Sequence, residues 1–320
     1  MPRKQPHARP ATHRPSPAVE QAWQGRDAAE HPTVPVRWLL WAIGLVIVAA
    51  GVCAWAVLCL MFWQGSWQLL YHPSAAVTRT PASAGLAYSD IGFATTGTGM
   101  PRLKGWLIPA NPSSTFSRYT VLYLHDATGN LGDTVGDLVR LHTAGLNILA
   151  FDYRGYGQSQ FIHPSESRWR EDADSALEYL TGTRHIPARS ILLVGKGLGA
   201  TLALQIAAAH PGLAGVVLEE PRTSAMQAIF NDPRARLVPA HVLVKDRWRV
   251  DAPAASLRIP SLWIYLAQDQ RATSAAEAPD IFTQASGPKS LLQIPSGDGT
   301  QSAYTDALDG WLKTLQAAVN

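Results

Sequence analysis

The side chains able to do acid–base or nucleophilic chemistry fall in a few short segments of this 320-residue chain. Glu219 and Glu220 are paired carboxylates, a pattern suited to hydrolysis by one acid and one base. Adjacent residues of a strand point to opposite faces, however, so packing and capping account for them better. Lys196 and Ser296 form a candidate base–nucleophile pair of a kind some folds use, although Lys196 is expected to point away from any pocket. His125 and His241 are candidate general bases, and Asp269 is a carboxylate that would act on water. No His, Cys, Asp or Glu set has metal-ligand spacing, and no cofactor or metal is expected. Gly195-Lys196-Gly197-Leu198-Gly199 is too short for a phosphate-binding loop and lacks its Lys-Ser/Thr ending.

These residues must be positioned by strands and helices that alternate after about residue 86. Near-continuous apolar runs at Tyr119–His125, Leu146–Tyr153, Ile191–Val194, Gly215–Glu219, Leu262–Leu266 and Leu291–Ile294 are separated by helical spacing. Helices are expected at Asp133–Thr143, Ser165–Leu180 with Ser165 as N-cap, Leu198–Ala209, Ala275–Ala285 and Tyr304–Ala317. Leu86–Thr95 and Leu103–Pro109 read as early antiparallel strands. The pattern predicts an α/β fold with a doubly wound, mostly parallel sheet covered on both faces. In such a sheet, sites form at the carboxyl ends of the strands. Four segments end there: Leu124–Asn130, Phe151–Ser159, Val194–Ala200 and Ala267–Asp269.

Together these segments resemble the α/β-hydrolase family, and more narrowly its membrane-anchored branch with a prolyl-oligopeptidase-like serine hydrolase domain. The resemblance runs from about Leu69 to the C-terminus. Asp152-Tyr153-Arg154-Gly155-Tyr156-Gly157 matches a turn of that branch, Leu124–Asn130 is similar to its His-Gly-x-x-Gly-Asn loop, and Leu218–Ser224 resembles its strand end and turn after the nucleophile helix. The family's Gly-x-Ser-x-Gly elbow lifts a serine into the site on a tight strand-to-helix turn. Here the elbow glycines Gly195 and Gly199 are present, but Gly197 stands at the nucleophile position, with no atom to donate to a carbonyl. The resemblance assigns the triad acid to Asp269 and the histidine position to Gly299, and no histidine follows His241. It implies an oxyanion loop at Asp126 and Ala127, with the second backbone N–H from Leu198. The family prefers glycine where Asp126 stands. That carboxylate either opposes the charge of an acyl-transfer intermediate or points to solvent and caps a turn. The resemblance makes His125 structural.

The segment in front of this domain has a different character. Trp38–Phe62 has no charged residue and is long enough for a ~30 Å hydrocarbon core. Trp38 and Trp41 at one end, and Trp63 and Trp67 at the other, read as interfacial belts. The run exceeds the 7–15 apolar residues of a typical signal peptide. Cys53 and Cys59 lie inside it, about 600° apart around a helix, so they share no face. Residues 1–37 hold six Lys/Arg against three acids and carry the whole net charge of +3. The remainder is balanced, which gives no electrostatic case for nucleic acid. The organisation expected is a disordered basic cytoplasmic tail (1–37), a transmembrane helix (38–63), a connector (64–85) and an α/β-hydrolase-like domain (86–320) on the periplasmic or extracellular side.

The function expected is therefore a single-pass membrane protein with an α/β-hydrolase fold, catalytically inactive as a serine hydrolase. It would act as a binding or interaction domain for a small-molecule, lipid or protein ligand. The alternatives are a hydrolase of esters or amides using unconventional residues, or a structural subunit of a membrane complex.

Overall fold

The computed structural model describes residues 34–267, 278–295 and 300–317. The chain divides into two compact units, residues 1–57 and 58–320. What is described of the first belongs to one helix, α1 (Val36–Gly65), whose last two turns belong to the second unit. Its apolar side chains face outward: only 6% of its most hydropathic window is buried, at a mean hydropathy of 2.7.

The second unit is built on an eight-stranded sheet. In chain order its strands are β1 (Ser89–Thr95), β2 (Pro101–Ile108), β3 (Thr120–Leu124), β4 (Asn147–Asp152), β5 (Ile191–Lys196), β6 (Gly215–Glu219), β7 (Ser261–Ala267) and β8 (Lys289–Pro295). Their spatial order is β8-β7-β6-β5-β3-β4-β2-β1. β1 and β2 pair antiparallel, as do β2 and β4; all the others are parallel. The helices include α2 (Val135–Thr143), α3 (Glu166–Glu178) and α4 (Leu198–Ala209), then the short α5 (Gln227–Phe230), α6 (Ala240–Leu243) and α7 (Asp251–Ser256). α8 (Ala278–Gln284) and α9 (Thr300–Ala317) close the fold.

The central strands read as unbroken apolar runs because both sheet faces are covered. Leu122, Leu124, Leu149, Phe151, Leu193 and Leu218 pack into one core with α3 and α4. Their neighbours Val121, Tyr123, Ile148, Ala150, Leu192 and Val217 pack into the other with α2 and α9. A one-residue slip of any of these strands would exchange the two sets. Ser165 caps α3 by accepting from Arg168 N at 3.4 Å.

The stretch expected as a connector, 64–85, is part of this unit. Leu70 and Tyr71 are buried in the first core beside Phe62. Tyr71 donates to Asp246 Oδ2 at 2.5 Å and accepts from Trp248 Nε1 at 3.1 Å. His72 and Pro73 pair in parallel with Thr128 and Gly129, next to the carboxyl end of β3. The compact unit thus begins at Leu58 rather than 86, because a Trp/Leu/Tyr-rich segment bordered by polar and Pro residues supplies core side chains of its own.

Candidate functional site

β5 ends at Lys196 and α4 begins at Leu198, leaving Gly197 alone in the turn with φ +57° and ψ −119°. This backbone conformation is closed to most side chains. The glycines on either side are required by close approach. A Cβ at Gly195 would lie 2.6 Å from Ala200 Cα, and one at Gly199 would lie 2.8 Å from the Leu124 carbonyl carbon. Lys196 turns away from the turn's open side and sets its Nζ 3.0 Å from Asp137 Oδ2 on α2.

The space above Gly197 is filled by Asp126. Its Oδ1 accepts from Ala127 N at 2.7 Å and from Leu198 N at 2.8 Å. These are the two backbone N–H groups that the resemblance to α/β-hydrolases assigns to an oxyanion loop, and here both point at one carboxylate oxygen. The carboxylate also occupies the place of a side chain at 197: a Cβ there would lie 2.5 Å from Asp126 Cγ and press on both its oxygens. Asp126 Oδ2 receives Arg222 Nη2 at 2.8 Å. Arg222 is set by α4, since Thr201 Oγ1 bonds both the Arg222 N–H and its carbonyl at 3.0 Å. Of the two roles left open for Asp126, the geometry has it turned inward onto the N–H pair.

The loop that carries Asp126 is tied down by the Asp152–Ser159 motif. Tyr156 Oη donates to the Ala127 carbonyl at 2.8 Å and Tyr153 Oη to that of His125 at 3.3 Å. Asp152 Oδ1 accepts from Leu131 N at 2.9 Å. Asn130 reaches back with Nδ2 to the carbonyls of Ser74 and Ala76. Arg154 anchors the motif to α3 through Asp172 and Glu171. The hydroxyls of the motif's tyrosines thus fix the backbone of this loop.

His125 is enclosed by Tyr153, Tyr156 and Trp169. Burial lowers its pKa to about 4. Its Nδ1 bonds the Asp126 carbonyl at 2.7 Å, while Nε2 lies 3.7 Å from Asp152 Oδ1 and has no hydrogen-bond partner. Burial raises the Asp152 carboxyl to about 7, against the pull of the Leu131 and Gln158 N–H groups. His125 is thus neutral at neutral pH, which fits a packing role, while burial shifts Asp152 towards its protonated form.

Glu219 points into the second core, bonded by Tyr304 Oη and 3.7 Å from Arg140 Nη2; burial raises its pKa. Glu220 follows with φ +49° and is not beside it on the same face. His241, on α6, stacks on Phe230 at 4.0 Å between centroids. Asp269, Ser296 and Gly299 lie outside the described residues. Among the described residues no group of three or more His, Cys, Asp or Glu converges on a metal-sized space. The sequence reading missed Arg222 and the tyrosine ties. The signal for Arg222 was an arginine two residues beyond the β6 carboxylates, at the same sheet edge as an isolated Asp126.

Three comparisons show which known proteins the chain is similar to. The family model described as serine aminopeptidase, S33, matches residues 117–284. An uncharacterized protein of Mycobacterium tuberculosis strain H37Rv is 30% identical over 266 residues, covering 83% of this chain and 88% of that protein. The alpha/beta hydrolase domain-containing protein WAV2 of Arabidopsis thaliana is 27% identical over 222 residues, covering 63% of this chain and 70% of that protein. Among solved structures, the esterase Pf2001 of Pyrococcus furiosus superposes with a TM-score of 0.57 at 18% identity, over 77% of this chain and 98% of that one. An alpha-beta hydrolase of Vibrio vulnificus gives 0.53 at 17% identity, over 74% and 82%.

Proposed function

We propose that this chain, which belongs to the serine aminopeptidase S33 family of α/β-hydrolase-fold proteins, is a membrane-anchored member that binds a ligand or partner without turning over an ester or amide through a serine. The carrying observation is the Asp126 carboxylate seated on Ala127 N and Leu198 N above Gly197. An acyl-transfer intermediate needs those donors for its oxyanion, and here an oxygen of the chain itself holds them. Residue 197 supplies no nucleophile, and a side chain there would collide with Asp126. The 30-residue helix α1, free of charge after Arg37 and with most of its apolar side chains exposed, supports the anchor.

The test is active-site labelling of the full chain with a fluorophosphonate. The natural chain and the Gly197→Ser, Gly299→His variant stay unlabelled, because Asp126 still fills the site. Adding Asp126→Gly to that variant restores labelling at residue 197. Labelling of the natural chain at any serine that also abolishes its hydrolysis of a short-chain ester would overturn the reading and direct the search to Ser296.

A further inference from the structure

The stretch between β6 and β7 shows two different surfaces. Inward, Met226, Ile229, Val238, Ala240 and Val244 are buried in the first core. Outward, Val242 on α6 is 78% exposed although nothing in the packing requires an apolar residue there. Val242, Leu243 and Lys245 share one cleft with Cys59, Leu60 and Trp63 from the last turns of α1. Just past the last turn of α1, Trp67 stacks on His163 at 4.7 Å, and His163 meets Phe161, which is 83% exposed. Leu60, Met61 and Trp63 are exposed as well. Isolated exposed apolar side chains need no explanation, but these all adjoin the last turns of α1 or Trp67 just after it.

Charge and depth indicate what covers them. Residues 221–250 hold six Arg/Lys (222, 234, 236, 245, 247, 249) against two acids (232, 246), and Asp246 is engaged with Tyr71 inside the fold. Apolar tips within a basic surround are the signature of a segment lying in a headgroup layer. Trp63 closes the apolar run and suits the membrane–water boundary. Cys59, four residues earlier on a continuous helix, lies about 6 Å deeper at 1.5 Å per residue. Side chains that share a cleft with Cys59 and Leu60 share that depth. The stretch is also held firmly: Glu166 Oε2 accepts from Arg247 N and Trp248 N.

We propose that α6 and the Phe161 loop dock into the lipid surface around the exit of α1, so that this face of the domain rests on the bilayer. The proposal rests on the membrane-anchored reading given above. The docked stretch is continuous in sequence with Arg222, the partner of Asp126, which puts the candidate site and the lipid-facing surface on one length of chain.

The test uses the full chain, with Cys53→Ser and Cys59→Ser, reconstituted in phosphatidylcholine–phosphatidylglycerol vesicles that contain a lipid with a nitroxide high on its acyl chain. An environment-sensitive fluorophore is placed at one cysteine at a time: Ile47→Cys in α1, Val242→Cys, Phe161→Cys, or Ser113→Cys at the opposite, amino-terminal edge of the sheet. The expected result is quenching at 242 and 161 close to that at 47 and severalfold above that at 113, with blue-shifted emission. Quenching at 47 with 242 and 161 behaving like 113 overturns the docking and leaves the anchor standing. No quenching at 47 overturns both. Because Val242 and Phe161 are each exposed, labelling either leaves the fold intact, and agreement between the two positions guards against a local artefact.

Discussion

Replacing Asp126 by alanine removes the acceptor of two backbone N–H groups at once, those of Ala127 and Leu198. Both residues are buried. A buried donor left without a partner costs about 1–3 kcal/mol. The Asp126 side chain is 26% exposed, so water reaches part of the gap and the net loss is expected at about 2 kcal/mol, near the low end for two donors. For a unit of this size that lowers Tm by about 4–8 °C. Asp126→Asn keeps an oxygen for the same two donors. It gives up the charge and the bond to Arg222, an ion pair exposed enough to contribute about 1 kcal/mol or less. The asparagine variant is therefore expected to lose no more than about half of what the alanine variant loses. Scanning calorimetry of the full chain in detergent at neutral pH measures both. Equal losses would mean that the charge pair, not the N–H cradle, holds the loop; an unchanged Tm for Asp126→Ala would mean that the seat above Gly197 is not formed.

Three further outcomes follow from the buried groups around this site. His125 titrates at about 4 in the fold against an ordinary 6.5, so its contribution to stability is lost as pH falls from 6.5 towards 4. Asp152, at about 7 against an ordinary 3.8, contributes in the opposite sense, with stability falling as pH rises through that window. The two slopes offset each other, so Asp152→Asn is expected to make Tm fall more steeply on acidification below pH 6.5 than in the natural chain; an unchanged slope refutes the raised Asp152 pKa. Tyr156→Phe removes only the bond to the Ala127 carbonyl and is expected to cost about 1 kcal/mol, read as a lowered denaturation midpoint with an unchanged m-value. Arg140→Met leaves the buried Glu219 carboxyl with the Tyr304 hydroxyl but no cation beside it and removes the ion pair to Asp137; it is expected to cost about 3 kcal/mol, the low end for breaking a buried pair. Adding Glu219→Gln should recover most of that loss in equilibrium unfolding.

The strands were legible because burial on both faces leaves an unbroken apolar run whose alternate members feed two cores; Val121–Leu124 and Ile191–Val194 carry this within a few residues. The elbow was legible for a similar reason, since Gly195 and Gly199 answer contacts made within five residues of chain and against the adjacent strand. What stayed hidden depends on distant partners. Tyr71 lies 175 residues from Asp246 and Arg222 lies 96 from Asp126, and no local period or cap records either meeting. The segment 64–85 read as a spacer because its prolines and polar residues mark turns, while Leu70 and Tyr71, too few to form a pattern, enter the core.

Along the chain, Asp126 and Gly197 are two distant positions. In space they are one feature. The carboxylate reaches Leu198 N only because residue 197 has no Cβ, and the positive φ at 197 turns that N–H towards the loop after β3. A side chain at 197 would need the volume that the Asp126 carboxyl group fills. Neither position is therefore free to change alone: a serine at 197 meets the carboxylate, and a glycine at 126 leaves Ala127 N and Leu198 N open to solvent or to an incoming oxygen. Tyr156, Tyr153 and Asn130 hold the 125–130 loop in place whichever occupant the two donors have. Those ties act on backbone carbonyls rather than on the Asp126 side chain. The scaffold around the N–H pair thus stays formed while the identity of the oxygen it holds is set by residues 126 and 197 together.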